Sequence, residues 1–379
     1  MIALSSASYS FENLYRTYKD WMNNIYSDDI MQSSYFISQM GFNSIPPEMI
    51  DSTVIEEARS GGSSNSSFLR EYAAQFTDGS DSYFSAKKMH LCTIPDGEKQ
   101  HTLIKGEANK EYILAIDPSF SNSPSSDFFA MSVLELDEEK PTFSTLVHGY
   151  AVAGGDLKNH IKYLHYLVNH FNFSMIIIDN AGYQFIDSAN ESELFQSSRT
   201  EIKFFDFNSD KEGVDYQKML LTAKRQYNKK ENVICFKQLF STTFLREANE
   251  YLQASIDHKR IWFASRTAAC GSFFDKVSSQ AVPMKLMPYE NKGDLIEFQD
   301  DIVYQSKKQC ALVEVKTTAK GSQTFDLPQH LKRSSAVNRA RKDNYTTLML
   351  GSWAVKGYND IKNTKVAQVN HTFTPRMIA

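Results

Sequence analysis

The sequence predicts a mixed α/β fold whose buried strands end on carboxylates. Three observations carry that expectation. Residues 112–117 and 174–179 are nearly all-apolar runs of strand length, and each closes on an Asp. Two further β-type runs, 128–136 and 143–153, follow the first directly, which reads as a meander. A helical stretch over 156–171 then separates the meander from the 174–179 run, the spacing of a crossover into a parallel strand.

The remaining elements follow from local chemistry. Residues 11–22 carry an aromatic helical periodicity through Phe11, Leu14, Tyr15, Tyr18 and Trp21. Pro46 and Pro47 open a helix over 48–59, because Pro suits the first helical turn. Residues 61–67 are a Gly/Ser/Asn loop, and 68–76 form a short amphipathic helix. The polar stretch 95–109 reads as a linker, which divides the chain into residues 1–100, 108–358 and a tail over 359–379. Beyond 179 the patterns predict a strand at 202–207, a helix at 214–227, a strand at 233–236 and a helix at 242–256. Residues 309–325 read as a hairpin, with Ala311 to Val315 as one strand, a turn at Lys320-Gly321, and Thr324-Phe325 opposite. A helix opening at Asp343 closes the fold.

Composition bounds the function. The chain has 379 residues, 41% hydrophobic and 23% charged, an ordinary globular balance with a length suited to two or three domains. A net charge of −4 excludes a uniformly basic nucleic-acid coat and leaves local patches open. No apolar run approaches a membrane span, and the first residues lack a charged leader, so a cytoplasmic setting is expected. Cys92, Cys235, Cys270 and Cys310 are too scattered for a zinc knuckle and read as buried thiols. His160, His165 and His170 recur every five residues, which keeps no helical face, and read as surface or satisfied histidines. No phosphate-binding glycine loop of the Walker or dinucleotide type occurs.

The carboxylates hold the chemistry. Asp117 ends the first buried strand, Asp127 opens the next, Asp179 ends the strand after the crossover, and Asp343 begins the last helix. An Asp at the mouth of a buried strand is costly unless a positive group neutralises it. Hard oxygen ligands without a Cys or His cluster suit Mg²⁺ or Mn²⁺. Each residue also has a plainer reading. Asp343 could cap its helix, Asp179-Asn180 could be a turn pair, and Asp117-Pro118 could end a strand.

These residues resemble the large subunit of tailed-bacteriophage terminases, and the resemblance covers most of the chain. Asp117 with Asp127 is similar to the family's first nuclease motif, Asp179-Asn180-Ala181-Gly182 to its second acidic position, and Asp343 to its last. The chain departs from the pattern where Lys342 precedes Asp343 in place of a second Asp, and where the loop before Asp127 is Ser-rich. The resemblance implies an RNase H-like mixed five-stranded sheet flanked by helices over 108–358, preceded by a smaller, mostly helical fragment of the packaging ATPase. Ile2 to Ala7 with Phe11, Leu14 and Tyr15 resembles that domain's coupling motif, and residues 68–76 with Tyr83-Phe84-Ser85 its bridge into the nuclease. No Walker A lysine is present, so ATPase activity is not expected of this chain.

The implied function is a divalent-metal-dependent endodeoxyribonuclease that cuts concatemeric phage DNA in the host cytoplasm. Asp117 would bridge two Mg²⁺ or Mn²⁺ ions, Asp179 and Asp343 would each complete one, and Asp127 would be an outer or alternate ligand. Lys316, Lys320, Lys332, Arg333, Arg339, Arg341 and Lys342 form a basic stretch, interrupted by Asp326, that is expected to meet double-stranded DNA or else to be a solvated face. The remaining ATPase part, a portal protein and a small terminase subunit are the implied partners, with no membrane. Two other readings stay open: another RNase H-like nuclease such as a junction resolvase or transposase, or a non-catalytic DNA-gripping component of the motor.

Overall fold

The structure, a computed structural model, describes residue 7 and residues 13–26, 35–60, 65–76, 82–95, 102–121, 123, 126–154, 156–205, 233–265, 292–317, 323–328, 332 and 340–363. Its centre is a seven-stranded sheet in the order β5-β6-β4-β1-β2-β3-β7. The strands are β1 (Tyr112–Asp117), β2 (Phe128–Leu136), β3 (Ser144–Ala153), β4 (Phe173–Asp179), β5 (Ile202–Phe205), β6 (Val233–Gln238) and β7 (Ile261–Phe263). The meander is antiparallel, β1 with β2 and β2 with β3. β4 returns parallel to β1, β6 lies parallel to β4, and β5 parallel to β6.

The expected mixed α/β class holds, and two edge strands enlarge the expected five. β5 extends one edge, and β7 runs parallel to β3 on the other. β7 is three residues long, too short for its alternation to register in sequence.

The helices are α1 (Asn13–Ile25), α2 (Ser52–Ser60), α3 (Asn65–Glu71), α4 (Ala86–Leu91), α5 (Leu157–His170), α6 (Gln184–Glu191), α7 (Glu193–Ser198), α8 (Thr242–Asp257), α9 (Lys292–Leu312) and α10 (Asp343–Asn363). Three expectations shift. The helix expected over 48–59 divides into a 3-10 turn, Pro47–Met49, and α2, because Asp51 accepts from the Thr53 amide at 3.0 Å and starts a fresh helix. The helix expected over 68–76 starts earlier and ends at Glu71, with Ala74 beyond it at φ 53°. Residues 311–312, read as strand, end the long helix α9 instead, and the hairpin is β8 (Glu314–Thr317) with β9 (Gln323–Asp326). A short apolar run such as Ala311-Leu312-Val313 cannot tell a buried helix end from a strand. The expected helix over 214–227, the coupling-motif residues 2–6 and 11, and residues 364–379 of the tail expected over 359–379 lie outside the described residues, while its residues 359–363 belong to α10.

Two apolar layers flank the sheet, and strand alternation decides which residue enters which. Ile113 and Ala115 of β1, with Met175 and Ile177 of β4, pack into the layer that holds Leu348, Leu350 and Val355 of α10. Leu114 and Ile116, with Ile176 and Ile178, pack oppositely with Leu164 and Leu167 of α5 and Phe185 of α6. Asp117 and Asp179 follow in step with the first set, so both carboxylates belong to the α10 face. Phe84, Ala86, Met89 and Cys92 join that same layer, although they lie upstream of the expected boundary near residue 100. No helix among the described residues is long and apolar enough to cross a membrane.

Two close contacts position the strand ends. Gly351 of α10 has no side chain where a Cβ would stand 2.4 Å from Leu134 Cδ1, which lets the helix lie against β2. Gly182, in the turn after β4, lies where a Cβ would meet Pro118 Cγ at 1.8 Å. That contact ties the turn after Asp179 to the turn after Asp117. A buried polar chain braces β3 from the other side. Gly149 N donates to Gln299 Oε1 (2.6 Å), Gln299 Nε2 to Tyr163 Oη (3.2 Å), Tyr163 to His148 Nε2 (2.8 Å), and His148 Nδ1 to the Leu103 carbonyl (2.5 Å). His160 is likewise buried, bonded to Tyr150 Oη and stacked on Phe129, as the satisfied reading expects.

Two outcomes follow. Burial holds His148 and His160 neutral, each with its pKa lowered from 6.5 to about 4. The unfolded chain takes up those protons first, so stability is full above pH 6.5 and declines as pH falls toward 4, by about 2 kcal/mol per histidine at pH 5. Thermal melts at pH 7 and pH 5 should show this loss, and His148→Gln should diminish it. Gly182→Ala should lower stability by about 1–3 kcal/mol at pH 7, since the rigid Pro118 ring must move; chemical denaturation measures it.

Candidate active site

Each of the four carboxylates is delivered by a different segment. The β1–β4 register pairs Ile116 with Ile178, so Asp117 and Asp179 stand at the ends of neighbouring parallel strands, about 4.8 Å apart in strand spacing. Asp117 also pairs with Ala130 of β2, whose first residue is Phe128. Asp343 comes from across the sheet: its Oδ2 accepts from the Phe128 amide at 2.7 Å. This bond decides against a simple helix cap, since the carboxylate is spent on a strand 215 positions away. Asp127 immediately precedes that amide. Asp179 does serve its own turn as well, accepting from Ala181 N at 3.3 Å.

Burial raises three of the four, and their charges converge on Asp117. Burial pushes the Asp117 carboxyl well above the usual carboxylate range, and the charges of Asp343, Asp179 and Asp127 push it further. Burial raises Asp343 to about 6, against the Phe128 amide, Arg341 and Lys342, which lower it. Asp179 is also raised by burial, with the Ala181 and Asn180 amides opposing. These groups are held at one sheet edge at a cost that a cation would remove. As a donor set, carboxylates alone fit a hard divalent ion. Their present spacing is looser than a ligand shell: among the described residues, no three His, Cys, Asp or Glu stand together as ligands of one ion.

The basic stretch is partly in view. Arg341 Nε donates to the Ser126 carbonyl at 3.0 Å, and its guanidinium lies 4.5 Å from the Phe128 ring centroid. Lys342 reaches Asp326 at 3.1 Å, and Lys332 bonds the same carboxylate. Those two lysines hold Asp326 below the usual carboxylate range against its burial, and Lys342 fastens β9 to the start of α10. Lys316 lies on β8, where its backbone pairs with Thr324. Lys320, Arg333 and Arg339 lie outside the described residues.

The sequence reading did not find three further features. A cleft of about 290 Å³ adjoins Asp343, lined by Phe128, Phe298, Gln305, Lys308, Arg341 and Asn344 among others. The Asn344 carboxamide is buried there with no hydrogen-bond partner among the described residues. The Gly182–Pro118 contact and the exposed rings Phe120 and Tyr183 complete the neighbourhood. Only the Gly after Asp179-Asn180-Ala181 left a trace in sequence, as a turn.

No protein-family model matches the chain, and no curated protein matches it. Among solved structures, the chain is similar to the large terminase nuclease from thermophilic phage G20c, at 9% identity over 72% of this chain and 97% of that one, with a TM-score of 0.38. The G20c nuclease has also been solved with bound magnesium and with bound cobalt. The chain is similar to the nuclease domain of the large terminase subunit gp2 of bacterial virus Sf6, at 9% identity over 72% of this chain and 98% of that one, with a TM-score of 0.31. It is similar to the HK97 bacteriophage large terminase at 11% identity, over 82% of this chain and 52% of that one, with a TM-score of 0.37. On strand order and direction alone, independent of these overlaps, the sheet of this chain is RNase H-like.

Proposed function

We propose that this chain is a divalent-metal-dependent DNA endonuclease of a viral packaging terminase. The observation that carries the proposal is the meeting of Asp117, Asp179 and Asp343 at one sheet edge, through the β1–β4 register and the Phe128 amide bond to Asp343, with all three carboxyls pushed up by burial. Asp117, Asp179 and Asp343 would hold Mg²⁺ or Mn²⁺, with Asp127 as an outer or alternate ligand. Bound divalent ions supply an activated water and stabilise the leaving oxygen in phosphodiester hydrolysis. The chain's own part is to gather the carboxylates and to fix Asp343 through the Phe128 amide. Arg341 and Lys342 add positive charge beside Asp343, where a phosphate backbone would pass. Lys316, Lys320, Lys332, Arg333 and Arg339 would extend that track. The remaining ATPase part, a portal and a small subunit are proposed partners, residues 1–100 being the fragment that would meet the ATPase.

A second reading is supported by the absence of a closed carboxylate cluster among the described residues. On it, the chain grips DNA for the motor without cutting.

Incubation with supercoiled plasmid and Mn²⁺ or Mg²⁺ separates the two. Nicking and linearisation are expected, and EDTA, Asp117→Ala, Asp179→Ala or Asp343→Ala should each reduce the rate at least a hundredfold. Plasmid left intact at high protein concentration would favour the gripping reading.

A metal-free measurement adds a second check. Asp343 titrates near 6 in the fold against an ordinary 3.8. Its penalty is therefore absent below about pH 4 and complete above about pH 6, at up to about 3 kcal/mol. In EDTA, Asp343→Asn should melt above the parent at pH 7.5, with the gap closing toward pH 4. Mn²⁺ should raise the parent's melting temperature at pH 7.5 and leave the variant's unchanged.

A further inference from the structure

Exposed large apolar side chains collect at the edge of the sheet that bears the carboxylates. Phe120, three residues past Asp117, is 52% exposed; Tyr183, four past Asp179, is 38% exposed; Leu239, just past β6, is 44% exposed. The Gly182–Pro118 contact brings the first two turns together, so the two rings lie within a few residues of one van der Waals contact. Behind Tyr183 stands a cation. Lys237 of β6, paired in register with Ile178, places its ammonium 4.7 Å from the Tyr183 ring centroid and 4.3 Å from that of Phe204. The ammonium is thus held by two rings, and no carboxylate among the described residues pairs with it.

Tyr183 packs edge-to-face on Phe204 along one side, and the exposed parts of it and of Phe120 remain apolar surface that a flat partner would take out of water. Flat rings beside a cation, at the rim of a phosphodiester-cleaving edge, match one class of partner. Every nucleobase offers a π-face to an aromatic ring, and the adjoining phosphate offers a charge to the ammonium. In a duplex those faces are occupied by neighbouring bases, so the surface selects strands whose bases are unstacked.

The geometry points to Phe120 and Tyr183, with Lys237 behind Tyr183, as a stacking platform for unpaired nucleobases of DNA, which gives this edge a preference for single-stranded, frayed or mismatched segments over intact duplex. The inference rests on the nuclease reading for its substrate class, and binding is its own readout.

The test is done in EDTA, where no cutting occurs, at one fixed salt concentration because phosphate contacts depend on salt. Affinities for a short oligothymidylate and for a blunt duplex of equal length are measured by fluorescence anisotropy with the full chain. The single strand should bind about tenfold tighter or better. Phe120→Ser with Tyr183→Ser should remove that advantage while changing duplex affinity little, and Tyr183→Phe should retain it. A strand carrying 2-aminopurine should lose fluorescence on binding the unaltered protein, a reading that needs no variant. Equal affinity for both DNAs, no change in the double variant, a Tyr183→Phe loss as large as that of Tyr183→Ser, or unquenched 2-aminopurine would each overturn the platform. If Mn²⁺ yields no plasmid cleavage while the strand preference persists, the nuclease reading falls and the platform stands. Cleavage without strand preference gives the reverse.

Discussion

Parallel pairing joins β1 to β4 from Tyr112 opposite Phe173 to Ile116 opposite Ile178, through a crossover helix. Everything at the carboxylate edge depends on this register. Because side chains alternate along a strand, Asp117 falls in step with Ile113 and Ala115, and Asp179 with Met175 and Ile177. Shifting one strand by a single residue would send its carboxylate to the opposite layer, away from α10. The Gly182–Pro118 contact sets the two turns against each other at the same place. A helix that brings its own carboxylate must then approach closely, and Gly351 permits that approach.

Concentrating like charges at this edge opposes stability. Burial and the neighbouring carboxylates both press Asp117 toward its neutral form, and burial does the same to Asp343 and Asp179. The fold offers partial compensation. The Phe128 amide supports Asp343, the Ala181 amide supports Asp179, and Lys342 and Arg341 add positive charge. None of these removes the strain at Asp117, which burial and three neighbouring carboxylates together press toward neutrality.

Much of this was legible in the sequence, for definable reasons. The runs ending at Asp117 and Asp179 are apolar enough to be buried strands, and a carboxylate there is expensive, which is what makes it visible. The meander and crossover followed from spacing. Asp343 was ambiguous, since an Asp opening a helix is an ordinary cap; only its bond to Phe128, distant in sequence, separates the readings. β7 was too short to see, and the end of α9 at Leu312 mimicked a strand because apolar runs carry no period of their own. Phe120 and Tyr183 looked like any other loop aromatics. Exposure is a property of the assembled surface, and composition does not encode it.

The cations beside Asp343 organise the resting edge. Arg341 is tied to the Ser126 carbonyl and lies over Phe128, the residues on either side of Asp127. It therefore holds the start of β2 in the place where the Phe128 amide meets Asp343. Lys342 and Lys332 share Asp326 and so pin β9 to the helix start. These pairs are exposed enough that each stabilises little by itself. The two cations differ in geometry: Arg341 is bonded to backbone and ring at once, and Lys342 is held by a surface carboxylate that it shares with Lys332.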